Sequence, residues 1–395
     1  MVFLAWLTLF TLFMKVCDLT QFYSPLSGGV KRYVEEKRKY AAAAGHQHLL
    51  IIPGPRTEQI EEETGKTYFI SSPLISKTSR YRLLLNLHAV EEILEREKPQ
   101  VIESSDPYQI AWKAIASGEA LQIPVVGFYH SHFSEAFLRT SAKYLGEPAT
   151  YVVMEISKYY VRSLYNRFRH TFVPSAGLAQ LLTSWGVDNV ILSELGVDTQ
   201  VFKCIPDKFV IRTEFGIPLD QILLLYVGRL AAEKNVQTLF QAFSRLHAEA
   251  PGRFYLIVVG DGGYRDQLLD LREKTGSVTW IQYCTEQERL SRIYRAADMF
   301  VHPGVQETFG LVTLESQACG TPVVGIRGSY MDRIIFSDQI YWADENSAAS
   351  LATAIWNMSE TNLETAGGEA SHRVECYSWR TVFQRMFEIY TKISA

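Results

Sequence analysis

The sequence predicts an α/β protein of two domains, each built on a parallel sheet covered by helices on both faces. In both halves of the chain, short apolar runs alternate with longer stretches whose apolar residues recur at helical spacing. That alternation is typical of βαβ units. The 395 residues suffice for two domains of ordinary size, and a composition of 47% apolar and 21% charged residues is that of a folded globular protein.

The first half supplies most of the predicted elements. The predicted strands are Lys15–Leu19, His48–Ile52, Thr67–Ile70, Val101–Glu103, Val125–Tyr129, the stretch 170–175 and Val190–Leu195. The predicted helices are Val30–Ala44, Leu83–Glu97, Ala111–Leu121 and Gly177–Trp185. Ligands of such sheets bind beyond the carboxyl ends of the strands, so residues that follow strands are the functional candidates.

Two strand ends in this half carry candidate residues. After the first strand, Gly28 and Gly29 open a helix, and glycines without a Cβ atom let the backbone approach a ligand closely. A plain turn is the alternative. After the fifth strand, alternation places His130 on the same face as Phe128, at the carboxyl edge of the sheet. His132 is a second candidate there, and two ordinary polar residues at a strand end are the alternative.

The second half predicts another parallel sheet with charged residues behind its first strand. The predicted strands are Ile222–Val227, Phe254–Val259, Val278–Tyr283, Met299–Val301 and Pro322–Gly325. Arg229 and Lys234 follow the first of them, and Lys234 stands at a helix start, where a cation opposes the helix dipole. A bound anion would remove that conflict, and a surface ion pair with Glu233 is the alternative.

The stretch 302–320 contains two carboxylates on either side of a predicted helix start. Glu307 precedes a helix that begins near Phe309, and Glu315 lies on that helix. The free backbone N–H groups of Thr308, Phe309 and Gly310 would form an anion site at the helix N-terminus. A diphosphate there, with a carboxylate on each side to accept sugar hydroxyls, describes a nucleotide-sugar. An acidic cap and an exposed helical glutamate are the alternative.

The Glu307 and Glu315 pair resembles the E-x7-E signature of the family 4 retaining glycosyltransferases, which have the GT-B fold. Thr308 stands where that family usually has proline. The G-R-x4-K spacing of Arg229 and Lys234 resembles the diphosphate clamp of the family, and the resemblance extends over about residues 14 to 390. It implies that Glu307 binds the transferred sugar and that Glu315 binds the ribose.

The resemblance assigns further roles. The glycine pair Gly28 and Gly29 would face the donor diphosphate and the acceptor, and His130 would lie near the donor sugar. Asp261, in a Gly-Asp-Gly turn, would lie close to the nucleotide, and Cys284, next to Tyr283, would lie near the base.

The resemblance also implies how the chain is divided. Residues 1–13 form an apolar extension, 14–203 the acceptor-side domain, 204–378 the nucleotide-sugar-binding domain, and 379–395 a helix that returns to the first domain. The expected GT-B architecture is two Rossmann-like domains that face a deep cleft.

Charge and cysteine content exclude several classes. A net charge of −4 provides no field for nucleic acid, and five scattered cysteines form neither a disulfide framework nor a zinc motif. A cytoplasmic protein is therefore expected. The sequence has no D-x-D motif and no G-x-G-x-x-G fingerprint, so neither a metal nor a dinucleotide cofactor is expected.

Membrane contact is an open alternative. The apolar stretch Val2–Phe13 is too short to span a bilayer and lacks the features of a signal peptide. The segments 76–88 and 158–170 mix basic and aromatic residues, which suits either an ordinary surface helix or contact with an anionic membrane.

The sequence thus predicts a retaining hexosyltransferase with GDP-mannose or UDP-glucose as donor and a glycan, lipid or small-molecule hydroxyl as acceptor. A nucleotide-sugar 2-epimerase and a catalytically silent nucleotide-sugar-binding protein are the alternatives. No residue in the sequence decides which donor or acceptor is used.

Overall fold

A computed structural model describes residues 13–23, 28–75, 80–130, 147–305, 307–329, 331 and 334–395, with the side chains of 147–149 left out. His132 and the apolar extension 1–12 lie outside this part. The contacts divide the chain into two units. The first comprises Met1–Pro174, Leu178–Ser193 and Phe383–Ala395, and the second comprises Ser175–Gly177 and Glu194–Val382. The predicted boundary at residue 203 lies ten positions beyond the change of unit.

The first unit contains a sheet of eight strands in the order β3-β4-β2-β1-β5-β6-β7-β8. The strands are β1 Lys15–Leu19, β2 Gln47–Gly54, β3 Glu58–Glu62, β4 Gly65–Ser71, β5 Val101–Ser104, β6 Val125–Phe128, β7 Thr171–Val173 and β8 Val190–Leu192. All neighbouring pairs are parallel except β3 with β4. The helices up to this point are α1 Gly29–Ala43, α2 Leu87–Glu97, α3 Gln109–Leu121, α4 Glu147–Tyr165 and α5 Ala176–Ser184.

The second unit contains a parallel sheet of five strands in the order β11-β10-β9-β12-β13. The strands are β9 Ile222–Val227, β10 Phe254–Val259, β11 Val278–Ile281, β12 Met299–Val301 and β13 Val323–Val324. The helices are α6 Lys208–Phe215, α7 Val236–Glu249, α8 Arg265–Thr275, α9 Gln287–Ala296, α10 Leu311–Ala318, α11 Ala348–Ser359, α12 Leu363–Val374 and α13 Trp379–Ser394. None of the helices in the described ranges has the length and apolarity needed to cross a bilayer.

Two predicted helices begin later than expected. The predicted helix from Leu83 begins at Leu87, because Asn86 caps it by accepting a hydrogen bond from the Ala89 amide. The helix predicted near Phe309 begins at Leu311, for a reason given below.

The core of the first unit contains a charged cluster. Lys37 of α1 lies between Asp18 of β1 and Glu103 of β5, with its Nζ atom 2.6 Å from Asp18 Oδ1 and 3.1 Å from Glu103 Oε1. His48 Nε2 lies 2.9 Å from Asp18 Oδ2. The hydroxyl of Tyr390 on α13 donates to Glu103 Oε2. The lysine and both carboxylates are at most 1% exposed, so this cluster is sealed inside the unit.

Candidate functional site

The candidate site in the second unit lies at the carboxyl edge of its sheet. Strands β9 and β12 are direct neighbours, so the loops that follow them leave the sheet side by side. The loop after β9 ends in a short 3₁₀ turn, Ala232–Lys234, and the loop after β12 carries Glu307. Two residues 73 positions apart in the sequence are thereby brought together.

Lys234 and Glu307 form an ion pair. The Lys234 Nζ atom lies 2.5 Å from Glu307 Oε2, and the two side chains are 27% and 16% exposed. Asn235 joins the two loops, because its side-chain amide donates to the Pro303 carbonyl at 2.8 Å. Asn235 also has a positive φ of 55°, a conformation that asparagine tolerates and that turns the chain from the 3₁₀ turn into α7.

A third side chain, His302, borders this pair. His302 Nε2 lies 3.9 Å from Glu307 Oε2, and the residue is 5% exposed. Burial lowers the pKa of His302 to about 4 against the opposing effect of Glu307. Burial by itself would raise the pKa of Glu307, but the Lys234 cation outweighs it and holds that pKa below its usual range. At neutral pH the group therefore consists of a carboxylate and a neutral imidazole beside a lysine.

The N-terminus of α10 lies four residues after Glu307. Gly310 adopts φ 81° and ψ 64°, a left-handed conformation that cannot continue a helix, so α10 begins at Leu311 and not near Phe309. No side chain caps this end in the described part of the chain. Thr308 and Phe309 therefore lie in the loop before the helix. The backbone N–H groups in the first turn of α10 point towards that loop, as they do at every helix N-terminus.

Glu315 is the fifth residue of α10 and is only 2% exposed. Its Oε2 atom accepts a hydrogen bond of 3.0 Å from the Tyr294 hydroxyl of α9. The alternative of an exposed helical glutamate is therefore wrong. A contact with a ribose stays a prediction.

Arg229 occupies a different environment from Lys234. Its guanidinium lies 3.0 Å from Glu233 Oε1, and its side chain is 72% exposed. Of the predicted charged residues, Lys234 and Glu307 are thus directly paired, whereas Arg229 forms a surface ion pair with Glu233, four residues along the chain.

Asp261 shapes the loop after β10. Its Oδ1 atom accepts from the Gly262 amide at 2.8 Å, and its Oδ2 atom accepts from the Gln282 side chain at 2.6 Å. Its flanking glycines pack against the loop after β9: a Cβ atom on Gly260 would lie 1.9 Å from the Gly228 carbonyl oxygen. Asp261 therefore supports the shape of this edge of the sheet.

Cys284 follows β11 and is half-buried, with Sγ 3.6 Å from the Glu286 carbonyl. Burial raises the pKa of its thiol. The neighbouring Tyr283 is 70% exposed. The role of both residues near a base stays a prediction.

In the first unit, Gly28 and Gly29 stand at the start of α1. Gly28 is the N-cap residue. Within the described ranges, no side chain caps the helix, and a Cβ atom on Gly28 would meet no atom within 4 Å. Both glycines are exposed. Open space at a helix N-terminus is compatible with the predicted anion contact, which stays a prediction.

His130 lies just beyond β6, as the sequence predicts. Its ring stacks on Phe128 with 3.9 Å between ring centroids. Burial lowers the pKa of His130 to about 3, so the imidazole is neutral at physiological pH. Its Nε2 atom is buried and has no hydrogen-bond partner within the residues that the structure describes.

Three residues of the site in the second unit escaped the sequence analysis. His302 directly follows β12, and its place at a strand end was the available signal. Asn235 had no local signal, because its partners Pro303 and Asn346 are distant in sequence. Tyr294 is helical and looks like a core residue. Among the described residues, no group of three His, Cys, Asp or Glu side chains is arranged to hold a metal.

Comparisons with known proteins place this geometry in a family. The model described as "Glycosyltransferase Family 4" matches residues 27–201, and that described as "Glycosyl transferases group 1" matches residues 207–372. A D-inositol 3-phosphate glycosyltransferase of Thermobispora bispora is 31% identical over 307 residues, covering 72% of this chain and 68% of that protein.

Two further matches span nearly the whole chain. A GDP-mannose-dependent alpha-(1-6)-phosphatidylinositol dimannoside mannosyltransferase of Mycobacterium tuberculosis is 28% identical over 371 residues, with 93% of each chain covered. Anabaena HepE in complex with UDP has a TM-score of 0.73 at 17% identity, covering 96% of this chain and 100% of that one. The structural match confirms the predicted GT-B fold, and the chain belongs to the family 4 glycosyltransferases, enzymes that transfer a sugar from a nucleotide-sugar.

Proposed function

We propose that the protein is a retaining hexosyltransferase that uses GDP-mannose or UDP-glucose and transfers the sugar to a hydroxyl group. The observation that carries the proposal is the Lys234–Glu307 ion pair beside the uncapped N-terminus of α10. This arrangement places a cation and the N-terminal end of a helix next to a carboxylate, which matches a diphosphate joined to a hydroxyl-rich sugar.

Lys234 and the first amides of α10 would stabilise the departing diphosphate. Bond breaking at the anomeric carbon places growing negative charge on the diphosphate oxygen, and preorganised donors act most strongly where charge develops. The side chain of Lys234 is part-exposed, so its ammonium can exchange Glu307 for a phosphate oxygen. Glu307, released from the lysine, would then accept hydroxyls of the transferred sugar.

The remaining predicted residues complete the proposal. Glu315 would bind the ribose and Arg229, once it leaves Glu233, would add a bidentate contact to phosphate. His130 would lie beside the anomeric carbon as a neutral group. The anomeric carbon would lose its bond to the diphosphate and gain one to the acceptor oxygen on the same face, while the acceptor hydroxyl passes its proton to the departing diphosphate, with no cofactor taking part.

The relatives support the choice of donors and a lipid acceptor. One is named for GDP-mannose and a phosphatidylinositol dimannoside, and a matched structure holds UDP. In this chain, α4 presents exposed apolar side chains beside basic ones. The exposed apolar residues are Tyr151, Val152, Ile156 and Tyr159. A surface cavity of about 470 Å³ beside them is lined in part by Lys158, Arg162 and Trp185. Peripheral contact of this face with an anionic cytoplasmic membrane is part of the proposal.

The test is a panel of nucleotide-sugars offered to the wild-type protein, to Lys234→Ala and to Lys274→Ala. Lys274 also pairs with a carboxylate in the second unit but is 70% exposed, so it is the matched control. We expect a donor to raise the melting temperature of the wild type and of Lys274→Ala by more than that of Lys234→Ala. NMR of the product should show that the anomeric configuration of the donor is kept.

Three outcomes would contradict the proposal. Conversion of the donor to its 2-epimer without transfer would indicate an epimerase. Binding without any turnover, over acceptors that include lipid vesicles, would indicate a silent binding protein. A product of inverted configuration would refute the retaining mechanism.

A further inference from the structure

The imidazole of His130 is held between two aromatic rings. Phe128 stacks on it with the planes 4° apart, and Tyr33 of α1 meets it edge-on, with 4.8 Å between centroids and 65° between planes. Phe128 precedes His130 by two residues on the same strand end, so the local backbone brings these two rings together. Tyr33 belongs to α1, so only the tertiary packing of α1 brings its ring next to His130.

The far end of the Tyr33 side chain is fixed by polar contacts. Its hydroxyl donates to Glu103 Oε1 at 2.8 Å and lies 3.2 Å from the Met386 sulfur of α13. Glu103 in turn pairs with Lys37 and accepts a hydrogen bond from the Tyr390 hydroxyl. All of these side chains are buried, and a satisfied buried network has few alternative arrangements. The Tyr33 ring therefore has a defined position.

His130 depends on such support. Its Nε2 atom is buried without a hydrogen-bond partner in the described ranges, so this ring nitrogen does not fix the orientation of the imidazole. Among the described residues, the ring contacts with Phe128 and Tyr33 are the recorded interactions that orient it. Functional side chains have to be held within about 0.5 Å of their productive geometry. The contact of the Tyr33 ring with the imidazole therefore matters for the position of His130.

We propose that Tyr33 is a positioning residue for His130: its anchored ring fixes the imidazole orientation that sugar transfer requires. The inference rests on the proposed function, in which His130 lies beside the donor sugar. Tyr33 acts through His130, and the buried cluster behind it serves as the anchor.

The test compares Tyr33→Leu with Tyr40→Leu. Tyr40 is on the same helix and packs against Phe383 and Phe387 of α13, so its loss also disturbs α1 packing. We expect Tyr33→Leu to lower kcat by about 10- to 100-fold, with KM for the donor nearly unchanged, since a small misplacement of a reacting group has an effect of that size. Tyr33→Phe, which keeps the ring but loses the hydroxyl contact to Glu103, should recover only part of the loss.

A second measurement reports on His130 itself. The ring-proton NMR signals of His130, assigned by their absence in His130→Gln, should shift in Tyr33→Leu because the neighbouring ring is gone and the imidazole can reorient. They should stay in place in Tyr40→Leu, whose kcat should be close to that of the wild type.

The inference is overturned if Tyr33→Leu leaves either kcat or the ring-proton NMR signals of His130 unchanged. It is also overturned if Tyr40→Leu lowers kcat as much as Tyr33→Leu does. His130→Ala separates this failure from that of the proposed function. Full turnover in His130→Ala would remove both the role of His130 and that of Tyr33 while leaving sugar transfer intact. No transfer by the wild type from any donor would instead refute the proposed function.

Discussion

Two lysines, one in each unit, pair with carboxylates under opposite conditions. Lys37 lies 2.6 Å from Asp18 and 3.1 Å from Glu103, and all three side chains are at most 1% exposed. Lys234 lies 2.5 Å from Glu307, but 27% and 16% of these side chains remain accessible to solvent. The nitrogen–oxygen distances in the two lysine pairs are similar, and the pairs differ in how much solvent can reach them.

Solvent exposure decides whether an ion pair stabilises the fold or can bind a ligand. A buried ion pair has already lost its water, and exchanging a partner would leave an uncompensated charge inside the protein. An ion pair at the edge of a sheet keeps part of its hydration, so a phosphate can replace the carboxylate at modest cost. We therefore infer that the Lys37 cluster stabilises the first unit, whereas the Lys234 pair in the second unit is available to a ligand.

The largest expected effect comes from breaking the sealed pair. Lys37→Met leaves Asp18 and Glu103 buried without their cation, and we expect it to lower the free energy of unfolding by about 3–5 kcal/mol. Chemical denaturation of the variant measures this loss. Lys39→Ala on the same helix, whose Nζ pairs with Glu36 and whose side chain is 60% exposed, is the control and should change stability by less than about 1 kcal/mol. An equal loss of unfolding free energy in Lys37→Met and Lys39→Ala would show that the buried cluster is no more stabilising than a surface ion pair.

Lys234→Ala should show the opposite pattern. We expect kcat to fall by about 10²–10³-fold, the size of effect seen when one stabilising donor is removed from a transition-state site. The free energy of unfolding should change by no more than about 1 kcal/mol, because the pair is partly solvated. Steady-state kinetics and denaturation on the same preparation check both. A variant that is active but unstable would contradict this interpretation.

A smaller effect concerns pH, since each unit buries a histidine whose pKa is lowered. Between pH 6.5 and about 4 the unfolded chain binds a proton at His302 but the folded protein does not, so stability falls as pH falls through this range. His302 contributes a slope of up to about 1.4 kcal/mol per pH unit. Denaturation curves at pH 7.5, 6 and 5 should therefore show a shallower decline for His302→Gln. Parallel curves would show that His302 is not held neutral.

The smallest effect concerns a buried carboxylate in each unit that accepts a hydrogen bond from tyrosine. Glu315 accepts from Tyr294, and Glu103 accepts from both Tyr33 and Tyr390. We expect Tyr294→Phe to lower the free energy of unfolding by about 1 kcal/mol, the usual size for one hydrogen bond. Thermal and chemical denaturation measure it, and Tyr341→Phe, outside this contact, should have a smaller effect. No loss in Tyr294→Phe would show that the hydroxyl does not stabilise Glu315.

The sequence predicts elements well where burial is continuous. Strands β1, β9, β10 and β12 coincide with their predicted bounds. A continuous apolar run of this length is typical of a parallel strand that is buried on both faces. Strand β3, Glu58–Glu62, was missed, since an exposed antiparallel edge strand with three glutamates has no apolar run. The start of α10 was placed early because the left-handed conformation of Gly310 depends on its surroundings.

The site was predictable only in part, for a related reason. Residue types and spacing indicated Lys234 and Glu307, and the structure pairs them. Lys37 was not singled out in the sequence, because its partners Asp18 and Glu103 come from strands far away along the chain. Long-range pairs of this kind become visible only when the strands are arranged side by side.

The most direct test of the central claim is a calorimetric titration with GDP and UDP, each compared with its own nucleoside. The difference between the diphosphate and the nucleoside isolates the contribution of the phosphates. The account predicts that the wild type and Lys274→Ala bind one diphosphate far more tightly than its nucleoside, and that Lys234→Ala loses at least about ten-fold of this advantage, or about 1.4 kcal/mol. An undiminished advantage in Lys234→Ala would contradict the account.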